Sequence, residues 1–240
     1  MLEKKSALLG WGLLSLGLYS PLSVNAATTM CQQFGTYQSK GLQAYGDHDY
    51  TQARRYFEYQ AILAEICPAY HLQKPIAYNN IALTYFHQQH YLTANAWLEL
   101  APKSKQSKLN AHIYANQIEQ AQKNAQKSIN GQYWSYVGQG AWNRIDVVKT
   151  ANHQADISFS GMSPGRNILE YGPHMGDLTT RITIEDHQGT YQSAHSECKI
   201  HFRFLPNELV VKQATTRCSF GAGVNATGDY QKVDPHSEDG

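Results

Sequence analysis

The sequence predicts an α+β chain of two domains, helical hairpins followed by an antiparallel β-sandwich or barrel. Three observations carry this. Before about residue 130, Ala, Gln, Leu and Tyr recur at helical spacing, whereas beyond it glycine is frequent and apolar residues alternate. Gln126-Lys127-Ser128-Ile129-Asn130-Gly131 reads as the connection. The cysteines fall two on each side of it, at 31, 67, 198 and 218. With 240 residues, each half is long enough to bury a core.

The expected division is 1–26 targeting segment, 27–129 helical domain and 130–240 β domain. Glu3, Lys4 and Lys5 make a short charged start, and Ala7 to Leu18 is an apolar stretch interrupted by Gly10, Gly12 and Gly17. Pro21 ends it, and Val24-Asn25-Ala26 puts small residues where a signal peptidase reads them. The apolar run is short for a membrane span, so no stable membrane insertion is expected after cleavage. Thr28-Thr29-Met30 before Cys31 lacks the lipoprotein pattern. Cleavage removes Lys4, Lys5 and Glu3 and leaves a formally neutral chain. Nothing in that balance attracts nucleic acid.

In the helical half, Tyr37, Gly41, Leu42, Tyr45, Tyr50, Ala53 and Tyr56-Phe57 recur 41 residues on as Tyr78, Ala82, Leu83, Phe86, Tyr91, Ala94 and Trp97-Leu98. These residues resemble the tetratricopeptide repeat, a helix-turn-helix unit of 34 residues, over about residues 35–102. Tyr37 and Tyr78 match the bulky aromatic that opens helix A, Gly41 and Ala82 the small residue four later. Tyr50 and Tyr91 match the aromatic that starts helix B, Ala53 and Ala94 the small residue three beyond it. Small residues let the two helices of a unit approach closely. Two departures stand out. About seven residues are inserted, read as Cys67 to Pro75 bounded by two helix-ending prolines, and Lys40 replaces an apolar residue. Ser107 to about Lys127 reads as one further helix, with Leu109, Ile113, Ile118, Ala121 and Ala125 on one face.

In the β half, Cys198, Ile200, Phe202 and Phe204 alternate with Lys199, His201 and Arg203. Ile157 and Phe159, and Ile182 and Ile184, repeat the pattern. Further strands are expected at Tyr133–Val137, Trp142–Val148, Leu209–Gln213, Arg217–Phe220 and Asp229–Val233. The run from Cys218 to Lys232, with Gly131-Gln132-Tyr133, is similar to small exported bacterial β domains, some linked to lysozyme inhibition. No inhibitory residue carries over.

Four cysteines allow three pairings. Export places them where disulfides persist, and the spacing favours Cys31–Cys67 and Cys198–Cys218. Each bond would stabilise by about 3–4 kcal/mol in the chain-entropy model. No Cys-x-x-Cys or Cys/His pair at zinc-finger spacing supports a metal.

Gly161-Met162-Ser163-Pro164-Gly165 matches the serine-hydrolase elbow in letters only. The residue after the serine donates its N–H to the oxyanion hole, and Pro164 has none. It reads as a turn between strands. His87 and His90 lack a third metal ligand. On a strand, His195 and His201 face away from Cys198. Asp47/Asp49 and Glu185/Asp186 read as solvated turn residues. No catalytic set, metal or cofactor is expected.

The tetratricopeptide resemblance implies a peptide-binding groove on the A helices, here Gln38, Leu42 and Tyr45 in the first unit and Asn79, Asn80, Leu83 and Phe86 in the second. Asn amides suit a peptide backbone, and the rings and leucines suit apolar contact. The expected function is therefore a non-enzymatic periplasmic adaptor for another periplasmic or envelope protein. The layout loosely resembles a periplasmic accessory protein of type VI secretion. The alternative expectation is an inhibitor of a lysozyme-like cell-wall hydrolase acting through the β domain. Mass spectrometry of the exported protein is expected to find Ala27 at its N-terminus, whereas a membrane-retained chain beginning at Met1 would refute the cleavage site.

Overall fold

The structure, a computed structural model, describes residues 30–150, 153–165, 168–215, 218 and 220–234. Residues 1–26, expected to be a targeting segment, lie outside them. Helices α1 (Phe34–Gly46) and α2 (Tyr50–Ile66) form one hairpin, and α3 (Lys74–His87) and α4 (Tyr91–Leu98) the next. The small residues act as their positions require. A Cβ on Gly41 would lie 2.4 Å from the Phe57 ring, and Ala53, Ala82 and Ala94 are wholly buried. Between the hairpins runs a 3-10 turn, Pro68–Gln73. Pro68 stops α2, but Pro75 sits in the first turn of α3, where its missing N–H costs nothing. Only one of the two prolines ends a helix.

The single helix expected from Ser107 to Lys127 is two, α5 (Lys105–Ile113) and α6 (Ala115–Ala125). The chain breaks at Tyr114, whose φ of −99° and ψ of 13° leave the helical region. Tertiary contact supplies the reason: the Tyr114 ring stacks on Phe86 with centroids 3.9 Å apart. The expected shared face is split accordingly, with Ile118 buried and Leu109 and Ile113 exposed.

The second half is a closed antiparallel barrel, which decides between the two β architectures. Its strands are β1 (Gly131–Gly138), β2 (Ala141–Lys149), β3 (Gln154–Ser163), β4 (His174–Glu185), β5 (Gln188–Gln192), β6 (Lys199–Leu205), β7 (Glu208–Gln213) and β8 (Gly228–Val233). Each pairs with the next, and β8 closes on β1. A short helix, α7 (Ile168–Tyr171), interrupts the β3–β4 connection. Inward residues such as Tyr133, Ile145, Ile157, Ile200, Leu209 and Tyr230 are fully buried, so side chains fill the interior, as expected for eight strands. Of the strand expected at Arg217–Phe220, the described residues Cys218 and Phe220 are in no strand. Cys218 and Phe220 lie in the connection before β8, tied by the Cys198 bond and by Phe220 against Phe159; Arg217 and Ser219 lie outside the described residues. Both disulfides pair as the spacing indicates, Cys31 with Cys67 and Cys198 with Cys218.

Alternation sends Tyr133 and Ile145 into the barrel and Trp134, Tyr136 and Trp142 out of it, onto the helices. Trp97 of α4 meets the Trp142 ring edge-on at 5.2 Å, and Trp134, Trp142 and Val233 belong to the helical core. At one end of this contact the Glu65 carboxylate accepts the Tyr78 hydroxyl at 2.9 Å, the Gln139 N–H at 2.6 Å and the Tyr136 hydroxyl. Burial, then the adjacent carboxylate, raises the Tyr78 and Tyr136 hydroxyls above their ordinary range, so both stay donors. The β1–β2 turn fits there through Gly140, with φ of +74° and space for a Cβ only 3.1 Å from Ile62. At the other end Asp234 accepts from the Leu92 and Thr93 N–H groups at 2.8 and 3.1 Å, capping α4. The repeat explains this cap. In the first hairpin Asp49 caps its own helix by accepting from Gln52 N–H. Its counterpart in the second is His90, which makes no side-chain cap, and the chain after β8 supplies the carboxylate instead.

Equilibrium urea unfolding is expected to show Glu65→Ala losing about 2–4 kcal/mol, because it strands three donors at a half-buried site. Asp234→Ala is expected to lose about 1 kcal/mol, the usual value of a cap. A Glu65→Ala change within about 0.5 kcal/mol of the parent, the range of a surface substitution, would show that the latch contributes nothing to joining the halves.

Candidate functional site

The seven A-helix residues divide into two groups. Asn79 and Phe86 are buried. The Asn79 amide nitrogen donates to Pro75 O at 2.7 Å and Ser107 Oγ at 3.0 Å, and its oxygen accepts from the Asn110 amide at 2.9 Å. Phe86 lies under Tyr114. Both therefore join α3 to α5 and the turn after it, which corrects their assignment as partner-contact residues: the third pair of helices covers the position where a peptide was expected.

The remaining five keep a solvent-facing part. Leu42 is 53% exposed on α1. Gln38 and Asn80 are half-buried, and Leu83 lies partly against the helical core. Tyr45 meets Tyr50 and His87 edge-on at 5.5 and 5.3 Å. Partial burial, more than the nearby Tyr114 and Tyr50 hydroxyls, raises its own hydroxyl above the ordinary value. Gln38, Leu42 and Tyr45 lie along α1, and Asn80 and Leu83 along α3.

The barrel docks mainly on the other side. Its contacts run to α2 through Ile62 and Glu65, and to α4 through Leu92, Thr93 and Trp97. Two further contacts extend them. Leu169 of α7 packs on the Phe34–Leu63 cluster beside the first disulfide. Arg144 of β2, over the Trp134 ring at 4.6 Å, shares with Arg54 and Arg55 the field around Glu58, whose carboxyl burial pushes up against their opposing charge. Sequence pattern marks Trp97 through the repeat but not Glu58, Glu65 or Arg144, because isolated carboxylates and arginines lack periodicity.

The residues weighed for chemistry have structural duties. The His87 ring stacks on Tyr50 at 4.6 Å, and His90 meets Tyr85 edge-on at 6.2 Å. The Cys198 sulfur is bonded to Cys218 and cannot ligate a metal with His195 and His201. Ser163 ends β3, and its Oγ lies 2.6 Å from where a Cβ on Gly223 would stand. The Ser163-Pro164-Gly165 segment leads into α7 rather than directly into β4. Among the described residues no three His, Cys, Asp or Glu side chains are placed to hold a metal ion, and no helix is long and apolar enough to cross a membrane.

No family model matches the chain, and neither does any curated protein or solved structure. Of the seven residues expected to meet a partner, Gln38, Leu42, Tyr45, Asn80 and Leu83 keep a solvent-facing part. Asn79→Ala is expected to lower the thermal midpoint, because it removes the bonds to Pro75, Ser107 and Asn110 at a buried site, at a cost of about 1–3 kcal/mol. Leu42→Ala is expected to stay within about 0.5 kcal/mol of the parent. A reversed order of the two midpoints would place Leu42 in the core and free Asn79.

Proposed function

We propose that the chain is a periplasmic, non-enzymatic adaptor that holds another envelope protein on the A-helix face and uses the barrel as its rigid base. The observation that supports this reading is the side on which the barrel sits. It occupies α2 and α4, while Leu42 and the half-buried Gln38 and Asn80 stay on α1 and α3. A repeat array of this size gives up its exposed area readily to a neighbouring domain; here the contacted helices are chiefly the B helices of a tetratricopeptide-like arrangement.

The two disulfides fit an oxidising compartment, in keeping with export through residues 1–26. An accessory role in an envelope machine such as type VI secretion accords with the layout of leader, short helical repeat and small β domain.

The test uses the full exported chain as bait in periplasmic extract, beside a Leu42→Ala/Asn80→Ala variant. A partner held by the parent is expected to bind the variant about 1–3 kcal/mol more weakly, or roughly five- to 150-fold, with the thermal midpoint unchanged. Equal capture by both proteins would move the contact elsewhere. Inhibition of a muramidase by the parent and the variant alike would establish the cell-wall hydrolase inhibitor instead.

A further inference from the structure

The barrel has a second feature, independent of the A-helix face. At the mouth where β2, β4 and β6 end lies a cavity of about 780 Å³, within the range of small-molecule sites. Its apolar floor includes Phe204 and Ile184, and its rim carries Lys127, Lys149 and Arg203 against a single carboxylate, Asp186. Neither Lys149 nor Arg203 forms an ion pair among the described residues, where the salt bridges are Lys123–Glu119 and Arg181–Asp156. Among the described residues the Lys127 ammonium donates to the Asn124 amide oxygen, at 2.9 Å. In a formally neutral mature chain, this is a local excess of positive charge that bulk composition does not produce.

The wall of the cavity is built rather than loose. One side is the connection Gln126–Ile129, and three sets of bonds fix that segment. The Lys232 ammonium donates to Ala125 O at 2.8 Å and to Ser128 O at 2.5 Å. The Tyr133 hydroxyl donates to Ile129 O at 2.8 Å, and the Lys149 N–H to Asn130 Oδ1 at 2.7 Å. Across from it, His153, Asp186 and His187 hold left-handed φ values of 56°, 47° and 62° without being glycine. Such residues cost free energy and persist where the surroundings impose them. The Ile184 N–H binds His153 O at 2.7 Å and the Phe204 N–H binds His187 O at 2.8 Å, locking both histidine backbones to the rim.

We infer that this mouth binds an amphipathic organic anion, an apolar chain on Phe204 and Ile184 with a carboxylate or phosphate head between Lys149, Arg203 and Lys127. The filled interior of the barrel limits the ligand to the mouth, so the chain it accepts is short. A cationic rim over an apolar floor recognises both parts together, whereas a bare inorganic anion satisfies the rim alone and a neutral alcohol the floor alone.

Isothermal titration of the full exported chain with decanoate, octyl phosphate, inorganic phosphate and 1-octanol tests this. Decanoate and octyl phosphate are expected to bind at one site, each at least about tenfold more tightly than inorganic phosphate or octanol. Lys149→Ala/Arg203→Ala is expected to weaken both amphiphiles by about tenfold or more while circular dichroism stays unchanged, since both side chains are exposed. Phe204 is buried in the barrel core, so the floor variant is Ile184→Ser, at a residue that only borders that core; with circular dichroism unchanged, it is expected to weaken the amphiphiles but not phosphate. Absence of saturable amphiphile binding up to millimolar concentration, or binding indifferent to the double variant, overturns the inference. Phosphate binding as tightly as octyl phosphate overturns the amphipathic part and leaves a simple anion site.

Discussion

The helical half does not close its own core. Two hairpins and a short third pair leave one side of α2 and α4 apolar, and arrays of so few units need a neighbour or a cap to bury such a face. Trp134, Trp142 and Val233 of the barrel fill that role. The outward face of β1 and β2 would otherwise expose two indoles and the Tyr136 ring to water, at about 1.5–3 kcal/mol for each large side chain. The two halves thus satisfy one requirement together. Each covers apolar surface of the other.

Polar contacts at the two ends of this apolar seam set its register. Burial of indole and aliphatic groups is non-directional and permits sliding. The Glu65 carboxylate, with donors from the helical Tyr78 and the barrel Tyr136 and Gln139, is directional. So is the Asp234 cap on α4. The first disulfide reinforces the former end, since Cys67 lies two residues beyond Glu65 and ties the end of α2 to the start of the helical half. Replacing His90 by an aspartate would restore the local cap found at Asp49 and make Asp234 redundant. The sequence keeps His90 and draws its cap from beyond β8, so formation of α4 is coupled to closure of the barrel.

Much of this fold is legible in the residues alone. The small residues at 41, 53, 82 and 94 mark close helix approach because nothing larger fits, and the cysteine spacing matches the pairing found. Strand alternation identified the inward faces of β3, β4 and β6. Legibility ended where tertiary contact decides. No glycine or proline announces the break at Tyr114, which follows from the ring stacked on Phe86. Helical spacing placed Asn79 and Phe86 on one stripe of α3 but cannot say that α5 covers it. Glu65 and Asp234, the polar residues that fix the two halves, are lone acids with no periodic signature.

The difference between Asn79 and Asn80 shows how the surviving surface is selected. Both carry the same amide, one residue and therefore about 100° apart on the helix. Asn79 spends donor and acceptor on Pro75, Ser107 and Asn110, so its polarity serves the interior. Asn80 lies outside that network, half-buried on the side away from it. An asparagine in the interior holds adjoining helices in one register, because a slip of either leaves buried amide groups unpaired. That network holds α3 against α5. Of the two adjacent amides, the buried one is therefore consumed in joining α3 to α5, and the half-buried one stays outside that network.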